Sequence, residues 1–329
     1  MGCGSSKAAP DDAPAPAGGV EAKDEKKGVD LSGQELKDLS SLKLPLAPDV
    51  KILDASDNAL ATIPAEIGGC TGLEELLLFK NKLKELPKEL GSLSTLTTIN
   101  VFNNQIKKIP PEFAELTALE EVNFAANKLM QVPDAIMTKW SSVKILSLYD
   151  NNIVKLGSLA PLTALEELRL YNTPLDSLPD LGSAPLANLT ILEMHHSAGG
   201  GQIKEIPDDY FSKAPNLSRL LLSGHKGLTK LPASLLSCKG LKNLQAYGCG
   251  LTELPSGEWP ALETLFLQEN EALTELPAEL GTVTAFSRVN FSKTALSADG
   301  KKTADKIKAT CLKNPTGMFW GVDGRKLPP

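Results

Sequence analysis

The chain has 329 residues, 42% of them hydrophobic and only 5% aromatic, enough apolar material for one long shallow core rather than a single globule. A formal net charge of −6 offers no basic footprint for nucleic acid, and the absence of any run of about 18 apolar residues excludes a spanning helix. The 5 cysteines are odd in number and lack the paired clusters that close secreted repeat arrays, which argues for a reducing compartment.

The first residues, Met1-Gly2-Cys3-Gly4-Ser5-Ser6-Lys7, fit the N-myristoylation pattern, in which loss of Met1 exposes Gly2 and a hydroxyl residue, Ser6, follows at the required spacing. One myristoyl chain gives only marginal binding, so stable attachment needs a second signal. Residues 1–28 hold Lys7, Lys23, Lys26 and Lys27 against Asp11, Asp12, Glu21, Asp24 and Glu25, so no polybasic stretch supplies it. Palmitate on Cys3 is the remaining candidate. Acylation at Gly2 and Cys3 is the expectation, against myristate alone and against a start that is merely small and flexible. From Ala8 to Gly28 the composition is Ala, Pro, Gly, Asp, Glu and Lys, with Val20 the one larger apolar residue; such a stretch cannot offset its ordering entropy. It reads as a disordered tether with a reach on the order of 25 Å, which places the protein at the cytoplasmic face of a membrane, the plasma membrane or a related one, or otherwise in the cytoplasm.

Residues 29–49 carry Val29, Leu31, Leu36 and Leu39, a worn repeat suited to capping the N-terminal end. From Val50 a leucine pattern returns about every 23 residues, with full copies starting at Val50, Leu73, Leu96, Leu119, Val143, Leu165, Leu189, Leu217, Leu241 and Leu262 and a partial one at Phe286. Counting Leu73 as position 1, apolar residues fall at Leu76, Leu78, Leu83, Leu86, Leu90 and Leu93, with Asn81 at position 9 and Pro87 at position 15. A unit this short cannot bury its own apolar face and must stack on its neighbours. The alternation at positions 3 to 7 predicts a short strand with positions 4 and 6 inward and 3, 5 and 7 on the opposite face of a parallel sheet. Asn at position 9 is expected to form a ladder that satisfies backbone groups of adjacent coils.

These residues resemble intracellular leucine-rich-repeat proteins of the LxxLxLxxNxLxxLPxxL type, similar to the Ras-suppressor-like group and its plant relatives, over roughly residues 50–296. The resemblance implies an α/β repeat solenoid, a horseshoe with its parallel sheet on the concave face, and a protein partner, a small GTPase or a phosphatase by analogy. Nine of the ten units carry the Leu-Pro, Ile-Pro or Val-Pro step. Leu156-Gly157 lacks it, and the Asn position is taken by Thr173, Ser197, His225 and Cys249, so the middle of the array is expected to be less regular.

At position 7 successive units place Phe79, Phe102, Ala125, Tyr149, Tyr171, His195, Ser223 and Tyr247, with Phe266 at position 5 widening the surface. Phe79, Phe102, Tyr149, Tyr171, His195, Tyr247 and Phe266 are the candidate partner-binding residues, because aromatic side chains combine large contact area with few rotatable bonds. The alternative is ring packing that serves the sheet alone. Glu74, Glu75, Glu120, Glu121, Glu166 and Glu167 suggest an acidic rim at the strand entrances, either steering a basic partner or keeping the edge soluble. The unit at Leu189 is longer, and its Ser197–Gln202 segment reads as a flexible insertion. All three histidines, His195, His196 and His225, fall nearby. A metal-dependent catalyst built on His195, His196 and Glu193 is the alternative to a scaffold, although His225 suits the Asn role better.

Beyond Leu296, residues 297–329 form the expected C-terminal cap: a turn over Ser297–Gly300, a helix over Thr303–Lys313, and Met318, Phe319 and Trp320 lying over the final repeat. No catalytic motif appears with supporting context. The reading is a monomeric, non-enzymatic scaffold without a cofactor, tethered to a membrane and binding a protein partner in signalling, with regulation of an enzyme or small GTPase as the neighbouring possibility.

Overall fold

Each unit spends only three residues as strand, and thirteen such strands run parallel in one sheet in strict chain order. In the computed structural model, which describes residues 26–327, they are β1 (Gly28–Asp30), β2 (Ile52–Asp54), β3 (Glu75–Leu77), β4 (Thr98–Asn100), β5 (Glu121–Asn123), β6 (Ile145–Ser147), β7 (Glu167–Arg169), β8 (Ile191–Glu193), β9 (Arg219–Leu221), β10 (Asn243–Gln245), β11 (Thr264–Phe266), β12 (Arg288–Asn290) and β13 (Met318–Trp320), closed by an antiparallel β14 (Lys326–Leu327). Position 4 of one unit faces position 4 of the next, as Leu76 faces Leu53 and Ile99. Leu76, Leu78, Leu83, Leu90 and Leu93 are wholly buried, and the same positions form one continuous core along the array. Cys70 joins it as a small hydrophobe.

Strict alternation would send position 9 outward, and the backbone shows why it does not. Position 8 is left-handed in most units, at Asp57, Lys80, Asn103, Ala126, Asp150 and Asn172, and again at Gly224 and Gly248. That reversal turns the next side chain inward at a local cost of about 1–2 kcal/mol where the residue is not glycine. Asn81 then donates from Nδ2 to the carbonyls of Ala55 and Leu78 and accepts the Leu60 N–H at Oδ1. Asn104, Asn127, Asn151 and Asn270 repeat the pattern. Asn58 extends it to the cap, reaching Leu31 and Leu36. Pro64, Pro87 and Pro110 then open short 3-10 turns on the far side, where the missing proline N–H leaves nothing unpaired. Gly68 and Gly91 let those turns close up, since a Cβ there would sit 2.6 and 2.5 Å from the carbonyls of Glu89 and Glu112.

The ends depart from expectation in three ways. Gly28, assigned to the tether, belongs to β1, and Lys26 and Lys27 already pair with Glu75 and Asp49. The C-terminal helix begins at Ala298 rather than Thr303, because the Ser297 hydroxyl accepts the N–H groups of Asp299 and Gly300 and caps it. Met318–Trp320 do not lie over the last repeat but extend the sheet, pairing with β12, and β14 then covers the open edge. Among the described residues no helix is long and apolar enough to cross a membrane. Gly2 and Cys3 lie outside the described residues.

Candidate functional site

The concave face is built from positions 3, 5 and 7, and its centre is the stretch from β4 to β9. Tyr149 and Tyr171, on neighbouring strands, stack with centroids 4.2 Å apart and planes 13° from parallel. His195 continues the column on Tyr171 at 4.7 Å and 17°. Phe102 reaches Tyr149 at 6.1 Å although a whole strand separates them, closer than the roughly 9.6 Å that two strand spacings would give. The two rings lean together over Ala125, which is fully buried. The expected single stripe is therefore divided. Phe79 lies on the same half-buried face outside this ring column, Tyr247 stands beyond the buried Ser223, and Phe266 belongs to a second cluster, edge-on to Trp320 at 6.3 Å.

Beside the column lies a charge cluster of which sequence reading singles out Glu193 and Glu167 but neither Arg169 nor Arg219. Glu193, at position 5 of its unit and the last residue of β8, is only 7% exposed. Arg219 Nε comes within 2.8 Å of its carboxylate, Arg169 Nε within 3.9 Å, and Arg169 also pairs with Glu167. Burial pushes the Glu193 carboxyl up, and the two guanidiniums offset part of that shift. Burial, with Arg219 adding repulsion, holds His195 down at about 4, so its ring is neutral at pH 7. Its Nδ1 is buried without a hydrogen-bond partner. The Tyr149 and Tyr171 phenols are both pushed upward, chiefly by burial. The result is a flat, neutral, rigid column flanked by a desolvated ion pair. The signal that could have found the cluster was opposite charge at positions 3 and 5 of adjacent units.

The metal alternative near His195 and His196 does not assemble. His225 is committed to the ladder: Nδ1 accepts the Ile203 N–H and Nε2 donates to the Met194 carbonyl, the same two groups an Asn would serve. His196 Nδ1 accepts the Gly200 N–H, and His195 is held in the ring column. No group of three or more His, Cys, Asp or Glu side chains able to hold a metal occurs among the described residues.

The insertion is held rather than free. Gly201 N–H donates to Gly224 and Gly199 N–H to His196, and a Cβ on Gly201 would lie 2.1 Å from His225 Nδ1. The left-handed turn comes late, at Gly199 instead of position 8, so Ser197 stays exposed, bonded to Asn172, and contributes nothing to the ladder. A cleft of about 700 Å³ opens beside it between Asp176–Leu181 and Gln202–Tyr210.

A parallel sheet stacked one strand per coil over a leucine core, with an Asn ladder at its exit, defines a repeat solenoid. Residues 64–299 match the family model described as a leucine-rich repeat region, and the chain belongs to that family. It is 41% identical over 85 residues to the disease resistance protein RPP4 of Arabidopsis thaliana, a match covering 26% of this chain and 7% of that protein. Among solved structures it is similar to the leucine-rich-repeat protein LIC12759 of Leptospira interrogans, with 24% identity, 87% of this chain and 95% of that one covered, and a TM-score of 0.52. The Toll–Spatzle complex of Drosophila includes a chain similar at 22% identity and a TM-score of 0.59, with 78% of this chain and 37% of that one covered. These structural likenesses bear on the fold. The family is one of protein-binding modules.

Proposed function

We propose that this protein is a non-enzymatic scaffold, tethered to the cytoplasmic face of a membrane through acyl chains on Gly2 and Cys3, that holds a protein partner on its concave face in signalling. The observation that carries the binding surface is the stacked column Phe102, Tyr149, Tyr171 and His195. Rings already ordered by one another lose little freedom when a partner covers them, so more of their contact area appears as affinity. Protein ligation is also the mode of Toll, which was solved with Spatzle. By family resemblance, a small GTPase or a phosphatase is the partner class to examine first.

The test is proximity labelling in the native cell, with wild type, Tyr149→Ala plus Tyr171→Ala, and Gly2→Ala. The double variant is expected to lose specific neighbours while staying at the membrane. Gly2→Ala is expected to become soluble and lose its membrane neighbours. Identical neighbour sets for wild type and the double variant would remove the concave column from the proposal; an unchanged membrane fraction for Gly2→Ala would remove the tether.

A further inference from the structure

The exit edge of four consecutive units carries a surface that the concave-face reading does not use. At position 12 the units beginning at Leu73, Leu96, Leu119 and Val143 place Lys84, Lys107, Met130 and Val154. These residues stand in a row because the exit turns bond coil to coil: the N–H groups of Lys82, Gln105, Lys128 and Asn152 donate to Leu60, Leu83, Ile106 and Leu129 at 2.8 to 2.9 Å. Met130 is 70% and Val154 45% exposed, and they are the two large apolar side chains left open to solvent among the described residues. Equivalent positions on adjacent coils lie about one strand spacing, roughly 5 Å, apart, so the two tips share one apolar spot.

Lysines surround that spot. Lys82 and Lys128 at position 10 and Lys108 and Lys155 at position 13 join Lys84 and Lys107, all six exposed. Glu85 is the one acid at positions 10 to 13 of these units, so the edge carries a local charge of +5 on a chain whose total is −6. None of the six forms an ion pair among the described residues, whereas Lys51, Lys80 and Lys144 pair with Glu74, Asp57 and Glu120. The row ends abruptly: position 12 of the next unit is Asp176. Because the strands run parallel, the Glu pairs at 74–75, 120–121 and 166–167 gather at the opposite edge of the sheet. The two edges of this stretch therefore differ in sign.

We infer that this lysine edge, with Met130 and Val154 at its centre, is a docking surface for an anionic lipid bilayer. Charge complementarity and the paired apolar tips carry the inference: lysines remain in the headgroup layer while the methionine and valine enter its apolar boundary. The chain ahead of Lys26 adds support that rests on the acylation reading. A flexible chain of twenty-five residues spans on the order of 25–30 Å, and β6 lies about five strand spacings, or roughly 25 Å, from β1. Lipids on Gly2 and Cys3 would thus enter the bilayer beside this edge. At about fivefold per lysine, a net of five charges gives partitioning on the order of 10³–10⁴ M⁻¹, close to that of one myristoyl chain. The repeat array would then supply the basic membrane signal that residues 1–28 lack, and would set the arc on its exit edge with the concave face turned sideways and open.

The experiment uses the full chain produced without acyl groups, so that its outcome is separate from that of the Gly2→Ala test. Binding is measured by co-sedimentation with phosphatidylcholine vesicles containing about 30% phosphatidylserine, and with phosphatidylcholine alone. Binding is expected only to the anionic vesicles, weakening as salt rises. Lys107→Gln plus Lys108→Gln should lower it about 30-fold, while Lys226→Gln plus Lys239→Gln, which removes the same charge elsewhere, should leave it unchanged. In a Met130→Trp variant, emission of the introduced indole should shift to shorter wavelength on anionic vesicles. Absence of vesicle binding, equal loss from the two lysine pairs, or an unshifted indole would each overturn the inference; an edge that instead serves an acidic protein would give the first of these.

Discussion

The units from Leu73 to Leu119 and the units from Leu165 to Leu217 are built on the same period, yet they distribute their polar groups differently. In the first set every coil has its left-handed position 8, its inward Asn and, after the proline, a short helical turn. In the second the ladder passes to Thr173, then to an exposed Ser197, then to His225, and the helical turn is absent after β7. The irregular stretch is also where the buried Glu193 and the Tyr171–His195 end of the ring column stand. A regular ladder spends its polar side chains on backbone inside the coil. Where the ladder thins, polar groups are carried on the open face instead, and the neighbouring coil supplies their partners.

The largest expected effect comes from breaking the regular half. Asn104→Ala leaves the Leu83 N–H buried without a partner and takes one of two amide donors from each of the Leu78 and Val101 carbonyls, which keep Asn81 and Asn127, and should cost about 2–3 kcal/mol. Cys249→Ala removes only weak thiol contacts with the Leu222 and Tyr247 carbonyls and should cost under about 1 kcal/mol. Urea unfolding of both compares the two forms of the ladder directly; equal losses would mean that the substituted stretch is no less dependent on it.

Gly224→Ala sharpens the contrast on the irregular side. The residue has φ +83° and an added Cβ would meet the His196 carbonyl at 2.0 Å, so a loss of about 2 kcal/mol or more is expected. Gly240→Ala, in open space, should be close to neutral.

A smaller effect is expected from pH. His195 titrates in the folded protein at about 4, below its ordinary value of 6.5. Between those values the unfolded chain binds more protons, so stability attributable to His195 falls as pH drops from 6.5 to 4 and is constant below. A His195→Gln variant should therefore lose less stability than wild type across that window, by on the order of 1–2 kcal/mol, read from melting temperature against pH. Glu193 acts in the opposite sense, since a carboxyl raised by burial favours the folded state as it protonates; wild type and the variant share that contribution, so their difference isolates the histidine.

The smallest is the stack itself. Tyr171→Ala should cost about 1 kcal/mol of ring-pair energy beyond its area term, and Phe79→Ala, which stands outside the column, less. A loss of partner binding in Tyr171→Ala much larger than its loss of stability would separate recognition from packing.

The repeat, the inward leucines, the exposed face and the role of His225 were all legible in the sequence, because each depends on a residue's place within a single coil and on the strand period of two. The start of α2 (Ala298–Cys311) was also within reach, since Ser297 is a cap residue, but the apolar period began later at Ala304 and drew the expected boundary with it. The left-handed position 8 left no such mark: Asp, Lys, Asn and Ala all occupy it, since the next Asn and the coil behind it enforce the conformation.

By itself, the sequence determined the solenoid, its direction and which side chains face solvent, since those follow from local periodicity and from the need to bury leucine against the next coil. Only the tertiary structure decided which exposed groups meet. Tyr149, Tyr171 and His195 are each more than 20 residues apart, as are Glu193, Arg169 and Arg219. Their contact depends on how far each coil is rotated and displaced from the last and on which rotamer each side chain takes against its neighbour, quantities that belong to the stack and to no single repeat.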